Sequence, residues 1–399
     1  MKTSHCYTPA DQLHTRCEKL RQHLCRQDTE GALILQNADL FYFSGTAQQA
    51  HLYIPAQGDP VLMVRKDFDR AKKESALERI VSFSSPREIP DILKKHGISV
   101  PKKLGMELDV VPANIYLNFG RLFEKTEITD ISTSIRMIRA VKSDWEKDRI
   151  REAARFSDLL AATVPDLLKA GIPEIELAGK IEAEARKMGH QGIVRMRLWG
   201  SELFYGHVMA GPSAAVASYL ASPTGGAGIN PAIAQGPSLR PVKKHEPILV
   251  DLVFAVDGYN SDHTRIFSIG NLPDDLTEAH NVMLKIQEAV KKAAIPGTAA
   301  NGLYELALEM ASDHGLADNF MGAGQQRIRF VGHGIGLELD EFPFLAKGQK
   351  MPLEPGMVIA LEPKVSFPEK GVVGIENTHI VTESGLEQLG KFPENITIA

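Results

Sequence analysis

Two aspartates in one apolar hairpin are the residues of this sequence that are best placed for chemistry. Residues 248–270, ILVDLVFAVDGYNSDHTRIFSIG, form two β-branched runs separated by Asp257-Gly258. An Asp-Gly pair between two such runs is typical of a hairpin with a two-residue type I′ turn. Because side chains alternate along a strand, this turn predicts that Asp251 and Asp262 lie on the same face.

The predicted register brings these two carboxylates near each other. It pairs Val256 with Tyr259, Val253 with Asp262 and Asp251 with Thr264. Diagonal neighbours in such a pair of strands lie roughly 7–8 Å apart at the backbone and can converge on one object. Two buried carboxylates repel each other and lose hydration, so they favour a cation between them. The alternative is that one aspartate ends a strand and the other lies in a turn exposed to water.

Four further candidate residues follow in the second half of the chain. His333 lies in the run Gly332-His333-Gly334-Ile335-Gly336, where glycines let the backbone approach a ligand closely. Glu362 ends an apolar strand-like run, Glu376 lies inside another, and Asp340 belongs to the segment Asp340-Glu341-Phe342-Pro343. Taken singly, each has a simpler interpretation: a structural histidine, two strand-end charges and an exposed acidic loop.

Taken together, these residues resemble the pita-bread metallopeptidases, in particular the prolidase, aminopeptidase P and creatinase branch. That family has two aspartates eleven residues apart in a hairpin, then a histidine in a Gly-His-Gly-x-Gly run, then two glutamates. Asp251 and Asp262 have this spacing, and Asp262-His263-Thr264-Arg265 matches the family's Asp-x-Thr-Arg. His333, Glu362 in Leu-Glu-Pro and Glu376 in Ile-Glu-Asn complete the set in the family's order. The resemblance covers nearly the whole chain.

The resemblance implies a centre with two divalent metal ions, for which Mn²⁺, Co²⁺, Fe²⁺ and Zn²⁺ all suit the ligands. It assigns Asp251 to one ion, His333 and Glu362 to the other, and Asp262 and Glu376 to both. Four carboxylates and one imidazole carry a formal charge of −4 before metal, which two divalent ions would neutralise. A metal-bridging hydroxide would attack a carbonyl group. The implied catalytic residues are Glu362 as general base, His333 and Asp340.

Several positions depart from the family pattern. Asp340 stands where the peptidases usually have a second histidine, and Ala234 lies near the place of a loop histidine. Gly374 replaces an arginine two residues before the final glutamate, and Val253 replaces a glycine. These changes concern groups that bind substrate and transfer protons, so the resemblance supports metal binding more strongly than prolidase activity.

The same departures suggest which residues contact the substrate. Asp340 could transfer a proton or pair with a cationic group such as an α-amine. His207 could supply the missing imidazole, although a histidine that is satisfied locally within a strand is equally consistent with the sequence. Tyr205 could line an apolar pocket, as could Trp199, and core packing is the alternative for both.

Three functions are therefore considered. The first is a dinuclear exopeptidase that hydrolyses N-terminal Xaa-Pro bonds, as Xaa-Pro dipeptidase and aminopeptidase P do. The second is a metal-dependent lyase or hydrolase that acts on a small non-peptide substrate, as the lyase of dimethylsulfoniopropionate does on the same fold. The third is a binding protein without catalysis, which retention of all five ligands disfavours, since clustered carboxylates are costly without a metal.

The length and composition are those of an ordinary globular enzyme. The chain has 399 residues, a net charge of −5 and a pI near 6.2, so it offers no basic footprint for nucleic acid or an anionic membrane. No apolar run approaches the ~20 residues that span a bilayer, and the first residues lack the apolar segment of a signal peptide. The only cysteines, Cys6, Cys17 and Cys25, make a disulfide framework improbable. We expect a cytoplasmic protein.

The elements that must position the site predict a mixed α/β (α+β) fold in two domains. Alternating strands and helices predict an α/β domain at residues 1–140, which the resemblance identifies as creatinase-like, with the boundary near 136–144. For residues 141–399 the resemblance implies a pita-bread domain with a curved antiparallel sheet, ligands on its concave face and helices on the other. Long helices are predicted at 145–170 and 173–188, and a strand-like segment at 195–208. The family also implies a homodimer.

Overall fold

The structure, a computed structural model, describes residues 6–399, except for the side chain of residue 326. The expectation that the first residues are not a signal peptide therefore concerns, in part, residues that lie outside the described range. Backbone contacts divide the chain into two compact units, the first ending at Arg139 and the second starting at Ala140. The expected boundary at residue 140 lies one residue from this division.

The first unit is built on a six-stranded mixed sheet. Its strands are β1 (Gly31–Ile34), β2 (Ala50–Pro55), β3 (Val61–Val64), β4 (Ile80–Ser82), β5 (Lys103–Met106) and β6 (Glu127–Asp130). They lie in the order β4-β3-β2-β1-β5-β6. The helices are α1 (Ala10–Arg26), α2 (Asn37–Ser44), α3 (Phe68–Glu74), α4 (Ile89–Lys95), α5 (Ala113–Leu122) and α6 (Ser132–Ala140). The expected alternation of strands and helices is confirmed. The aromatic run at residues 40–43 lies in α2.

The second unit begins with two helices and a four-stranded sheet. Its first helices are α7 (Asp144–Leu167) and α8 (Glu174–Lys187), close to the predicted ranges. The sheet consists of β7 (Gly206–Ala210), β8 (Ile248–Val256), β9 (Tyr259–Ser268) and the short parallel edge strand β17 (Thr397–Ile398). The strand predicted over residues 195–208 is therefore mostly wrong, since only its last three residues belong to β7.

The rest of the second unit supplies two helices and a second sheet. The helices are α9 (Asp274–Ala293) and α10 (Ala300–Asp313). The sheet has the order β11-β10-β12-β15-β16, with β10 (Phe330–Gly334), β11 (Glu341–Ala346), β12 (Val358–Leu361), β15 (Asn377–Thr382) and β16 (Gly385–Gln388). A separate hairpin contains β13 (Lys364–Phe367) and β14 (Gly371–Gly374). All pairings in these two sheets are antiparallel.

Alternation along β8 separates a packed face from a polar one. Ile248, Val250, Leu252 and Phe254 belong to a core cluster that includes Leu160 and Val164 of α7 and Leu177 of α8. Asp251 and Val253, between them in sequence, line a cavity on the opposite face. The two helices therefore cover one side of the strand and leave the other side for the site. Among the described residues, no helix combines the length and apolar character needed to cross a membrane.

Candidate metal centre

The β8–β9 hairpin has the register that the Asp-Gly turn predicts. Val256 pairs with Tyr259, Val253 with Asp262, and Asp251 with Thr264. Asp257 and Gly258 both have positive φ, 50° and 90°, as a type I′ turn requires. Asp251 and Asp262 both line the same cavity, which confirms that they share a face.

His333 lies in β10, between β11 and β12, with its ring fixed by backbone oxygens. Its Nδ1 is 3.1 Å from the carbonyl oxygens of Gly334 and Leu339. Because a carbonyl oxygen only accepts, Nδ1 carries the proton and donates it, which leaves the lone pair of the neutral ring on Nε2. Nε2 lies 3.8 Å from an Asp262 oxygen, 3.9 Å from Glu362 Oε1 and 3.8 Å from Glu376 Oε1.

Glu362 and Glu376 bring two further carboxylates to the site, and the two oxygens of Glu376 have different surroundings. Glu362 follows the end of β12, and Glu376 lies in the break between β14 and β15, where its backbone forms an isolated bridge with Thr264. The Oε2 atom of Glu376 accepts a hydrogen bond of 2.9 Å from the Thr264 hydroxyl. Its Oε1 atom is buried without a hydrogen-bond partner. A buried anionic oxygen in this state is costly unless a cation compensates it.

Lys364 is a further site residue that sequence reasoning missed. Its Nζ lies 3.1 Å from Asp251 Oδ2, 2.8 Å from Glu362 Oε2 and 2.6 Å from Glu376 Oε2. The side chain is only 1% exposed. One signal was available in the sequence. Lys364 comes two residues after Glu362, and in an extended segment residues at this spacing lie on the same side.

The pKa values around the site are those of a cluster with too little positive charge. Burial, Glu376 and Asp251 raise the pKa of Asp262 well above its ordinary value. Burial raises the pKa of Glu362 to about 7, although Lys364 opposes the shift. Burial also disfavours the charged form of Glu376, but Lys364 and His333 outweigh it and lower this pKa to about 2.

The ring of His333 responds to the same carboxylates. Burial lowers its pKa, but Glu376 and the other acidic neighbours outweigh burial and raise the pKa well above its ordinary value. A group of carboxylates that draws protons onto its neighbours in this way is also one that attracts a metal cation.

One divalent cation fits these residues. Ligand atoms of Asp262, His333 and Glu376 all lie within 4.8 Å of one another, and each residue is buried. The unpartnered Oε1 of Glu376 belongs to this group, and Glu362 Oε1 faces the same His333 nitrogen. Carboxylate oxygens and a neutral imidazole suit a transition-metal ion. The space between Asp251, Glu362 and Glu376 holds the Lys364 ammonium instead, so the expected two-ion arrangement stays a prediction that requires Lys364 to move.

The structure divides the expected substrate residues into two groups. Asp340 lines the cavity, and one of its oxygens is 3.5 Å from His333 Nδ1, so it contacts the ligand histidine on the side away from the other carboxylates. His207 also lines the cavity; it pairs with Asp251 across β7 and β8, and its Nε2 is 3.3 Å from the side-chain oxygen of Gln235. Gln235, which follows Ala234, thus contacts a cavity residue, and after Lys364 it is the second residue near the site that the sequence did not indicate.

Tyr205 is not brought to the cavity. It is buried among core residues, and its ring lies 4.4 Å from that of His190. The proposal that it contacts substrate has no support from this position, because Tyr205 precedes β7 and packs in the core, whereas His207 within β7 lines the cavity. Trp199 is neither in the core nor in the cavity lining, and is 97% exposed.

The cavity itself is small. Its volume is about 80 Å³, and apolar side chains contribute much of its wall, including Met196, Leu198, Leu203 and Phe330. The polar wall contains the five expected metal ligands together with His207 and Asp340.

Comparisons with known proteins find relatives that match nearly the whole chain. The sequence matches the profile of Metallopeptidase family M24 over residues 148–383, and that of the Creatinase/Prolidase N-terminal domain over residues 16–141. An Xaa-Pro dipeptidase from Pyrococcus furiosus is 28% identical over 383 residues, which cover 94% of this chain and 97% of the relative. An Xaa-Pro dipeptidase from Pyrococcus horikoshii is 26% identical, with 96% and 98% covered.

Solved structures show the same fold. The Xaa-Pro dipeptidase from Bacillus anthracis superimposes with a TM-score of 0.81 at 24% identity, covering 97% of this chain and 100% of that one. The X-Pro aminopeptidase from Thermotoga maritima gives 0.80 at 23% identity, with 96% and 99% covered. These matches confirm the expected creatinase-like and pita-bread domains, and the family confirms the expected class of enzyme, a metallopeptidase-type hydrolase for which divalent metal ions are implied. On the matched residues 148–383, which are more than half of its length, the chain belongs to Metallopeptidase family M24.

Proposed function

We propose that this protein is a divalent-cation-dependent hydrolase of small amide substrates, and that N-terminal Xaa-Pro bonds of dipeptides and short peptides are the first substrates to test. The observation that carries the proposal is the buried, unpartnered Glu376 Oε1, 3.8 Å from His333 Nε2. The names of the relatives, Xaa-Pro dipeptidases, support the choice of substrate.

The proposed ligands of the cation are Asp262, His333, Glu362 and Glu376. A bound divalent ion would act as a Lewis acid and lower the pKa of water. Hydrolysis also requires a group that accepts a proton from water and returns it to the leaving nitrogen. Glu362 is our candidate for this task, because its Oε1 faces the same space as His333 Nε2.

Other residues of the site would orient these groups. Asp340, 3.5 Å from His333 Nδ1, stabilises a ring that carries its proton on that nitrogen and thereby directs Nε2 toward the carboxylates. Asp340 and His207 both line the cavity, so they are the proposed contacts for the polar groups of a substrate. An α-amine beside Asp340 would be compensated by its carboxylate.

A second function is favoured by two specific features of this cavity. Its volume of about 80 Å³ is small, and Asp340 stands where peptidases of this family usually have a histidine. Both suit a compact, cationic, non-peptide substrate, cleaved by a hydrolase or by a lyase of the kind that acts on dimethylsulfoniopropionate. The two functions differ in whether proline-containing peptides are substrates at all.

The experiment is a substrate survey with purified protein reconstituted with Mn²⁺, Co²⁺ or Zn²⁺. Xaa-Pro dipeptides, Xaa-Pro tripeptides, dipeptides without proline and small cyclic or acylated amines are incubated in parallel and followed by mass spectrometry. Turnover confined to Xaa-Pro peptides supports the first function, and turnover confined to small amines supports the second. No turnover in any class with any of the three metals would contradict the proposed hydrolysis of small amides.

An Asp340→His variant in the same survey tests the role of the substituted position. If Asp340 selects the substrate, the variant gains activity on Xaa-Pro peptides relative to small amines. Asp340→Asn serves as the control, because it keeps the size of the side chain and removes its charge.

Three further properties complete the proposal. A homodimer is expected, and light scattering of the purified chain tests it. Manganese as the native metal and a cytoplasmic location also remain part of the proposal, testable by metal analysis and cell fractionation of the natural source.

A further inference from the structure

The ammonium group of Lys364 lies where a second metal ion would have to bind. It contacts one oxygen each of Asp251, Glu362 and Glu376, at 3.1, 2.8 and 2.6 Å. An ion coordinated by the same three oxygens would be in van der Waals contact with the ammonium nitrogen and would repel it. The lysine and a metal ion therefore cannot share this position.

The lysine is built into the fold at this point. It is the first residue of β13 and pairs directly with Gly374, the last residue of β14. A Cβ atom at position 374 would lie 2.9 Å from Lys364 Cγ and 2.5 Å from the Pro363 carbonyl oxygen. Gly374 also has a φ of 154°, which L side chains rarely adopt. The bare position opposite Lys364 leaves its side chain the space to run into the site.

The two oxygens of each glutamate in the site face different groups. Glu362 and Glu376 each direct Oε2 to Lys364 and Oε1 toward His333 Nε2. In the expected two-ion centre, Glu376 would bridge both metals and Glu362 would bind the ion beside His333. Here the same two carboxylates connect one ammonium group to the space in front of His333 Nε2.

The charges agree with this arrangement. The four carboxylates have a formal charge of −4, and Lys364 reduces it to −3. One divalent ion brings the centre to −1, whereas two ions together with the lysine would give it a positive charge. A centre that already contains a fixed cation thus requires one metal ion fewer.

We propose that Lys364 takes the place of one of the two metal ions, so that the chain binds no more than one divalent ion, on the side of Asp262 and His333. Lys364 is then a positioning residue, which aligns Glu362 and Glu376 by holding one oxygen of each. This inference goes beyond the proposed hydrolysis and does not depend on it, since it concerns the number of ions and not the substrate.

The test is the number of metal ions bound per chain. Apo protein is titrated with Mn²⁺ and Co²⁺ by calorimetry, and the loaded, desalted protein is analysed by mass spectrometry of its metal content. We expect at most one ion per chain, and the electron paramagnetic resonance of the Mn²⁺ form to show isolated ions without exchange coupling. Two ions per chain, or an exchange-coupled manganese pair, would overturn the proposal.

A substitution of the lysine sharpens the test. Lys364→Met keeps the length of the side chain and removes its charge, so the variant should bind one more ion per chain than the natural protein. Lys370→Met is the matched control, because Lys370 lies in the connection between β13 and β14 and pairs with Asp275 at the surface. The number of ions bound by this variant should not change. A folded Lys364→Met variant whose ion count is unchanged would contradict the proposal.

Failure of folding and failure of function are both separable from this result. If Lys364→Met does not fold, the ion count of the natural protein decides by itself. A protein with one ion and no hydrolytic activity would contradict the proposed function and leave the inference intact. A protein with two ions that hydrolyses small amides would do the reverse.

Discussion

Two clusters of buried charge, one in each unit of the chain, differ in how completely their polar atoms are satisfied. In the first unit, Arg139 Nη1 donates to Asp39 at 2.6 Å, and Glu107 accepts from the backbone N–H groups of Leu35 and Gln36 at 3.0–3.2 Å. In the second unit, Glu376 Oε1 has no hydrogen-bond partner, and three carboxylate oxygens lie 3.8–3.9 Å from His333 Nε2. Both clusters are acidic and almost fully buried.

The difference separates a structural use of buried charge from a chemical one. A satisfied cluster stabilises one arrangement of the backbone, here the start of α2 against β5. An unsatisfied cluster stores unfavourable electrostatic energy that a ligand can release on binding. Substitutions in the first should therefore change stability, and substitutions in the second should change metal binding and activity.

The largest effect should follow removal of the His333 ring, whose Nε2 lies 3.8–3.9 Å from three carboxylate oxygens. His333→Ala should lower kcat/KM by about 1,000-fold or more, because a metal ion supplies several kcal/mol of transition-state stabilisation and about 4 kcal/mol corresponds to that factor. The measurement is steady-state kinetics on whichever substrate the survey identifies. Activity within tenfold of the natural protein would remove His333 from the proposed centre.

The next largest effect should appear in the first unit. Arg139→Met leaves the Asp39 carboxylate buried without its guanidinium partner, and breaking such a pair costs about 3–5 kcal/mol. Urea unfolding followed by circular dichroism measures the loss of unfolding free energy. Activity per folded molecule should be unchanged, and a loss of activity without a loss of stability would break the comparison between the two clusters.

Metal binding should stabilise the second unit but not the first. At a free Mn²⁺ concentration about 100 times its dissociation constant, the free energy of unfolding should rise by about 2.7 kcal/mol. Hydrogen exchange with and without Mn²⁺ shows where the protection arises. Glu376→Gln should abolish the effect, whereas equal protection of both units, or protection in the variant, would contradict a centre at Glu376.

The smallest effect concerns acid stability. Burial lowers the pKa of His379 to about 3, so the folded protein keeps this ring neutral while the unfolded chain protonates it near pH 6.5. The stability that His379 contributes is complete above pH 6.5 and is lost as the pH falls toward 3. Between pH 6.5 and 5 this single group should cost about 1.6 kcal/mol.

Paired denaturation curves at pH 6.5 and 5 measure this loss. His379→Gln should lose less stability over that interval, and His314→Gln, at the exposed end of α10, controls for the removal of a histidine. Identical pH dependence in the natural protein and the His379 variant would show that the ring does not remain neutral in the folded state.

The sequence was informative where local chemistry decides geometry. Asp257-Gly258 determines the turn, the turn determines the register, and the register places Asp251 and Asp262 on one face. The order of His333, Glu362 and Glu376 was recognisable through the resemblance, and the structure brings all three together.

The sequence was less informative where tertiary packing decides. Residues 40–43 are a short apolar run, and such a run has the same appearance in a strand and in a buried helix. The structure shows that they belong to helix α2. Tyr205 and His207 are two residues apart, and only the packing around β7 distinguishes the core position from the cavity position. Lys364 was overlooked because its spacing from Glu362 is a weak signal by itself, and its other two partners, Asp251 and Glu376, come from distant parts of the chain.

The facing pair Lys364 and Gly374 also has a consequence for sequence comparison. Since a Cβ atom at position 374 would meet Lys364 and the Pro363 carbonyl oxygen, we expect this lysine to be accompanied by glycine at position 374 in related chains. The residue types at these two positions should therefore distinguish related chains with a lysine in the site from chains whose site has room for two metal ions.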